Sequence, residues 1–130
     1  DLIFDQNNLS RLHLLGHALS KIQLIDELPV AFIALSRKEL RKFNFSKGDT
    51  EGLVNYCLSI KGIEMAAFIK EDVDLVKMSF RSKGSLRVND FASTFFSGGG
   101  HINAAGGRSE QSFDETVLLF KKSVNTFFGE

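Results

Sequence analysis

The segment best suited to chemistry is Ser97-Gly98-Gly99-Gly100-His101-Ile102-Asn103-Ala104-Ala105-Gly106-Gly107. Three successive glycines let backbone N–H groups converge on one point, because no side chain blocks close approach and positive φ costs nothing. If His101 opens a helical turn through Ala105, the unpaired N–H groups and dipole of that turn add to an anion site. Ala104 and Ala105 would let such a turn pack closely on a neighbour. The second candidate is Ser79-Phe80-Arg81-Ser82-Lys83-Gly84-Ser85, a strand end carrying two cations and three hydroxyls. Arg81 offers a planar fork matched to two phosphate oxygens, whereas Lys83 is a mobile point charge. Lys83 and Arg87 read as solvated strand-end and loop charges. Phosphate binding is the chemistry these residue types share.

Other candidates read as structure. His13 and His17 share a helix face with Lys21, but no third ligand lies in that helix, so a solvated face is expected. Arg37, Lys38, Arg41 and Lys42 read as another solvated face, since the aromatics of a nucleic-acid groove are missing there. Cys57 has no Cys partner and reads as an inert packed thiol. The chain contains no P-loop, no GxGxxG and no Asp-His-His run, so a two-metal hydrolytic centre cannot be built from it.

Charge points to the same place. The 130 residues carry sixteen basic and sixteen acidic side chains, a net charge of zero that excludes a strongly basic nucleic-acid coat protein. The zero is a cancellation, because residues 77–108 hold five cations against the single Asp90, a net of +4. Six of the eleven glycines fall inside that window, five of them clustered at Gly98, Gly99, Gly100, Gly106 and Gly107. One Cys excludes a disulfide framework. No apolar run approaches the ~20 residues of a membrane span and no signal peptide opens the chain, so no membrane contact and a cytoplasmic setting are expected.

These residues need a scaffold. Leu9, Leu12, Leu15, Leu19 and Ile22 recur at helical spacing and predict a helix over 9–25 with that stripe buried. Residues 29–35 form a short, continuous apolar run, the pattern of a buried strand. Ser36-Arg37-Lys38-Glu39 is a capping box that opens a short helix through about Phe43. A helix capped by Asp49 or Thr50 follows, carrying Leu53, Val54, Tyr56, Cys57 and Leu58. Residues 64–71 and 75–81 read as a hairpin turning at Asp72-Val73-Asp74. Residues 88–96 and 113–128 read as helices, the second burying Phe113, Val117, Phe120, Val124, Phe127 and Phe128. The expected fold is a mixed β-sheet layered with helices, α/β with α+β as the alternative. Asp1 is not Met, and residues 1–8 are expected to be a junction from a preceding domain, with one folded domain over 9–130.

Gly98-Gly99-Gly100-His101-Ile102-Asn103-Ala104-Ala105-Gly106 matches GGGHxxAAG and resembles the DHHA1 domain, the C-terminal substrate-binding domain of DHH-family phosphoesterases. That domain is shared with alanyl-tRNA synthetases and RecJ-type exonucleases. The segments over 49–56, 59–62 and 82–84 are similar to the nano-RNase type, the oligoribonucleases that also act on phosphoadenosine phosphate. The resemblance implies a phosphate- or nucleotide-binding domain of a manganese-dependent hydrolase. It implies that Arg81 and His101 grip the terminal phosphate, helped by the backbone of Gly98, Gly99 and Gly100. Ser82 and Asn103 are further polar contacts on the same grounds. It places the catalytic residues and Mn2+ in a DHH domain outside this chain, so that no cofactor binds here and the chain alone is inactive. The implied partners are short RNA or nucleotide phosphates and the DHH domain, with a homodimer of the whole protein allowed. A cyclic dinucleotide phosphodiesterase and a non-enzymatic RNA-binding module are the alternatives.

Overall fold

Alternation of side chains along each strand decides how the layers form, because successive residues face opposite sides of a sheet. The computed structural model describes residues 8–46, 48, 50 and 52–129. The junction expected over 1–8 and the cap candidate Asp49 therefore lie outside the described residues, except for Asn8. In chain order the elements are α1 (Leu9–Ser20), β1 (Gln23–Leu24), β2 (Val30–Leu35), α2 (Arg37–Lys42), α3 (Leu53–Leu58), β3 (Met65–Glu71), β4 (Val76–Ser82), α4 (Val88–Phe95), β5 (Gly99–His101), β6 (Ala104–Ser109) and α5 (Phe113–Gly129). The six strands form one mixed sheet in the order β1-β2-β3-β4-β6-β5. Only β2 and β3 pair in parallel, joined through α2 and α3. The expected α/β class with a layered mixed sheet is what the chain adopts.

One face of the sheet carries Phe32, Met65, Ala67, Ile69, Met78 and Phe80 and packs on α4 and α5. Phe91 of α4 and Phe120 of α5 both lie fully buried there, and both meet the Phe80 ring. The other face carries Ala31, Ile33, Leu35, Ala66 and Phe68 and packs on α1, α2 and α3. Those three helices gather over β2 and β3. On that side β4, β6 and β5 keep an open face.

Ser36 and Glu39 make the capping box in full, with Glu39 N–H donating to Ser36 Oγ (3.1 Å) and Ser36 N–H donating to Glu39 Oε1 (2.9 Å). Three expectations are corrected. The first helix stops at Ser20, and Gln23–Leu24 pair with Phe32 and Ala31 as an edge strand. Its buried residues are Leu14 and Ala18, whereas Leu9 and Leu12 of the leucine stripe are 67% and 47% exposed. The small Ala18 lets the helix settle on β2, and the helix axis turns the stripe partly outward. The cap of α3 is Gly52 in the left-handed region (φ 82°), with no side-chain hydrogen bond, so Thr50 does not serve as the cap.

Candidate functional site

The site is built on β4, where Lys77, Ser79 and Arg81 alternate with the buried Val76, Met78, Phe80 and Ser82. Strand alternation thus sends the three polar side chains to the open face. The register carries that face across the sheet. Ala66, Arg81, Ala104 and His101 form one cross-strand row, and Phe68, Ser79, Gly106 and Gly99 form the next. Lys70, Lys77 and Arg108 form a third. Because Ala66, Ala104 and Gly106 are small, nothing fills the space above β4 and β6.

The result is an open cavity of about 810 Å³, walled by α3 around Gly52 and Val54 and by Ser97-Gly98. Lys70, Lys77, Arg81 and Arg108 line it, and no Asp or Glu does so among the described residues. Arg81 is half-buried, and its Nη1 donates to the Phe80 carbonyl (2.9 Å), which steadies the guanidinium over the sheet. Asp72 lies at the cavity's edge, where its Oδ2 approaches Lys77 Nζ (3.3 Å). The Val73 N–H and the Lys77 ammonium hold the Asp72 carboxyl below its ordinary range.

The glycine-rich segment differs from expectation. His101 does not open a helical turn: residues 99–101 and 104–109 are two antiparallel strands joined at Ile102-Asn103. Two glycines disfavour helix, and the Gly100 backbone (φ 143°) fits neither a helix nor an ordinary strand residue. The glycine-rich segment therefore offers no helix N-terminus to an anion. Close backbone approach explains the glycine at two positions. A Cβ on Gly98 would fall 1.9 Å from the Gly106 carbonyl oxygen, and one on Gly100 would fall 2.7 Å from that of Ala104. The Gly98 N–H already donates to the Ala92 carbonyl (3.1 Å), while Gly99 has open space at its Cβ position.

Arg81 and His101 are brought to one face, two strands apart, with His101 exposed at the sheet edge. Ser82 and Asn103 are placed differently. Ser82 points to the opposite face, where its hydroxyl donates to the Leu86 carbonyl (2.7 Å). Asn103 Nδ2 donates to Ser82 Oγ (2.9 Å) and to the Gly84 carbonyl (3.1 Å), locking the β5–β6 turn to the loop after β4. Both side chains hold the hairpin in place.

His17 also departs from its expected solvated face. Its Nε2–H donates to Glu39 Oε2 (2.6 Å) and its ring lies 4.8 Å from that of Phe43. Burial alone would raise the Glu39 pKa, but hydrogen bonds from Ser36 and His17 and the Lys21 charge outweigh it and hold the carboxyl at about 2. Cys57 is fully buried, and that burial pushes its thiol up to about 11, as an inert packed thiol requires.

Three cavity cations were not singled out as site residues by the sequence reading. Lys77 and Arg108 counted only toward the basic window, and Lys70 lay outside it. A signal for them exists: a hairpin turning at Asp72-Val73-Asp74 pairs Lys70 with Lys77, and Lys77-x-Ser79-x-Arg81 is a polar alternation. Among the described residues no three His, Cys, Asp or Glu gather to hold a metal ion. No helix among them is long and apolar enough to cross a membrane.

Comparison with known proteins bears on the same region. The chain is 33% identical over 91 residues to the bifunctional oligoribonuclease and PAP phosphatase NrnA of Bacillus subtilis, covering 70% of this chain and 28% of that protein. A crystal structure of an exopolyphosphatase-related protein from Bacteroides fragilis superimposes with a TM-score of 0.91 at 38% identity, over 96% of this chain and 37% of that one. The chain thus spans about a third of the length of these relatives. The fold is also found in the pGpG-specific phosphodiesterase PggH of Vibrio cholerae (TM-score 0.62, 10% identity, 90% of this chain and 39% of that one). The C-Ala domain of Aquifex aeolicus alanyl-tRNA synthetase is a further, more distant likeness (TM-score 0.53, 12% identity, 79% of this chain and 96% of that one). The DHHA1 domain model matches residues 27–130, which takes in the cavity, the GGGH segment and all but one of the strands, and the chain belongs to the DHHA1 domain family.

Proposed function

We propose that this chain is the substrate-holding domain of a phosphoesterase that acts on short oligoribonucleotides and on phosphoadenosine phosphate. The observation that carries the reading is the cavity over β4 and β6, lined by four cations and, among the described residues, by no carboxylate. Such a surface attracts and orients phosphate groups. The Bacillus subtilis relative, a bifunctional oligoribonuclease and PAP phosphatase, supports the substrate class.

In this reading Arg81 supplies the fork for a terminal phosphate, with its small neighbours Ala66 and Ala104 giving the phosphate access to the guanidinium. His101 approaches the same phosphate from the sheet edge, beside the backbone of Gly99 and Gly100. In the same reading manganese is assigned to a DHH domain elsewhere in the protein. What this chain contributes is the holding of one end of the substrate, which reduces the freedom the reacting phosphate must lose. A homodimer of the whole protein and a cytoplasmic setting belong to the same proposal.

The test is hydrolysis of 5′-phosphorylated dinucleotide RNA and of phosphoadenosine phosphate with manganese, by the whole protein and by this chain alone. The whole protein is expected to turn over both substrates, with activity falling at least tenfold in Arg81→Ala, on the scale of a lost charge-assisted hydrogen bond. The chain alone is expected to hydrolyse neither. Turnover by the isolated chain, or normal turnover by Arg81→Ala, overturns the proposal.

A further inference from the structure

Lys70, Lys77 and Arg108 sit side by side on three adjacent strands, each directly opposite the next in register. Like charges directly opposite one another destabilise a sheet. Two such pairings in succession therefore oppose folding, and the neighbours relieve them only in part. Lys77 has Asp72 at 3.3 Å, and Lys70 Nζ lies 5.2 Å over the Phe45 ring. The Arg108 side chain has no hydrogen bond or ion pair among the described residues. All three line the cavity that also holds Arg81.

We propose that Lys70, Lys77 and Arg108 form a second anion subsite, which takes a phosphate of the same ligand further along the chain from the one at Arg81. The inference rests on the reading of Arg81 and His101 as the terminal-phosphate site, and extends it. Lys77 and Arg81 are four residues apart on one strand, on the order of 13 Å. On β4 and β6 the row between them offers Ser79 and Gly106, which add no charge and no bulk. A single nucleotide gripped at Arg81 does not reach the second row, whereas the third phosphate of an extended strand does. The cavity thus measures the ligand: a chain of three nucleotides engages both rows, and shorter ones engage one. A charged groove that follows the backbone in this way is indifferent to base identity.

The experiment is equilibrium binding of pA, pApA and pApApA to the 130-residue chain at one fixed low salt concentration, because phosphate contacts weaken steeply with salt. The wild-type chain is expected to gain about fivefold in affinity between pApA and pApApA, the scale of one exposed ion pair. Lys77→Gln and Arg108→Gln are expected to remove that step while leaving pA affinity within about twofold, the smaller end of the same scale. Lys122→Gln, which removes one cation from an exposed position on α5, is expected to preserve the step. Thermal melting of each variant checks that the sheet is intact. A wild-type chain that binds pA with no gain at pApApA overturns the second subsite and leaves the Arg81 site standing, as does a gain that survives in both variants. A chain that binds none of the three overturns the Arg81 reading and this inference with it.

Discussion

Arg81 and His101 face the same side of the sheet from strands two positions apart, with Ala104 alone between them in the row. Strand spacing puts their Cα atoms about 10 Å apart. An arginine and a histidine reaching from either side of an alanine can hold one phosphate between them. Arg81→Ala and His101→Ala are each expected to weaken binding of adenosine 3′,5′-bisphosphate by about five- to fiftyfold, without lowering the melting temperature. The double variant is expected to lose less than the product of the two, since groups on one phosphate are coupled. Arg81→Lys keeps the charge and loses the fork, and is expected to recover only part of the affinity. Titration calorimetry of the four variants checks this, and simple multiplicativity would place the two residues on separate ligands.

The three glycines of the Gly98-Gly99-Gly100 run are not equivalent. Alanine at Gly98 drives a Cβ to 1.9 Å from a backbone carbonyl that cannot move without breaking the β6 ladder. Alanine at Gly99 meets open space. Gly98→Ala is therefore expected to destabilise the fold by about 2–4 kcal/mol, at the upper end for single substitutions, and Gly99→Ala by less than about 1 kcal/mol. Urea denaturation of both variants measures the difference. Equal losses would mean that the run serves the ligand and not the hairpin.

Much of the scaffold could be read from the chain because it depends on local patterns. The capping box at Ser36 and Glu39 needs only residues three apart. The hairpin of β3 and β4 needs only two apolar runs and a turn between them. Arg81 was legible because a cation beside a buried Phe ends up at the edge of a core. Three features depended on long-range packing and were not legible. The outward tilt of Leu9 and Leu12 follows from how Ala18 settles on β2. The strand character of residues 99–101 follows from pairing with β6, against a local sequence that also permits a helical turn. The row of Lys70, Lys77 and Arg108 exists only once three strands are in register.

Glu39 makes stability depend on acid. Its carboxyl lies at about 2 in the folded chain against an ordinary 4.5, so the folded state binds the proton more weakly than the unfolded state. The stabilisation it provides is present in full above the unfolded value and is lost as pH falls from about 5 through 2. Glu39→Gln removes the carboxylate that His17 and Lys21 approach while keeping a side chain that can still accept from Ser36. The variant is expected to melt lower than wild type at pH 6, and the gap is expected to shrink by pH 3. Melting temperatures across that range check the sign, and a gap that widens toward acid contradicts it.

Ser82 and Asn103 act as one lock. Asn103 Nδ2 donates to Ser82 Oγ, and the Ser82 hydroxyl in turn donates to Leu86, so Ser82 Oγ links the β5–β6 turn to the loop after β4 beside the direct bond from Asn103 to the Gly84 carbonyl. Removing Asn103 frees the turn, but removing Ser82 also removes the partner of Asn103. Ser82→Ala and Asn103→Ala are each expected to cost about 1–2 kcal/mol, the range for a hydrogen bond whose remaining partner is left in a partly buried setting. The double variant is expected to cost clearly less than their sum, because the bond the two side chains share is lost in either single variant. The lock holds β5, and with it His101, at a fixed distance from Arg81, so each single variant is also expected to weaken bisphosphate binding less than His101→Ala does. A double-mutant cycle in urea together with binding measurements tests both parts. Additive losses in stability would separate the two residues, and a binding loss in Asn103→Ala as large as that of His101→Ala would place Asn103 on the ligand itself.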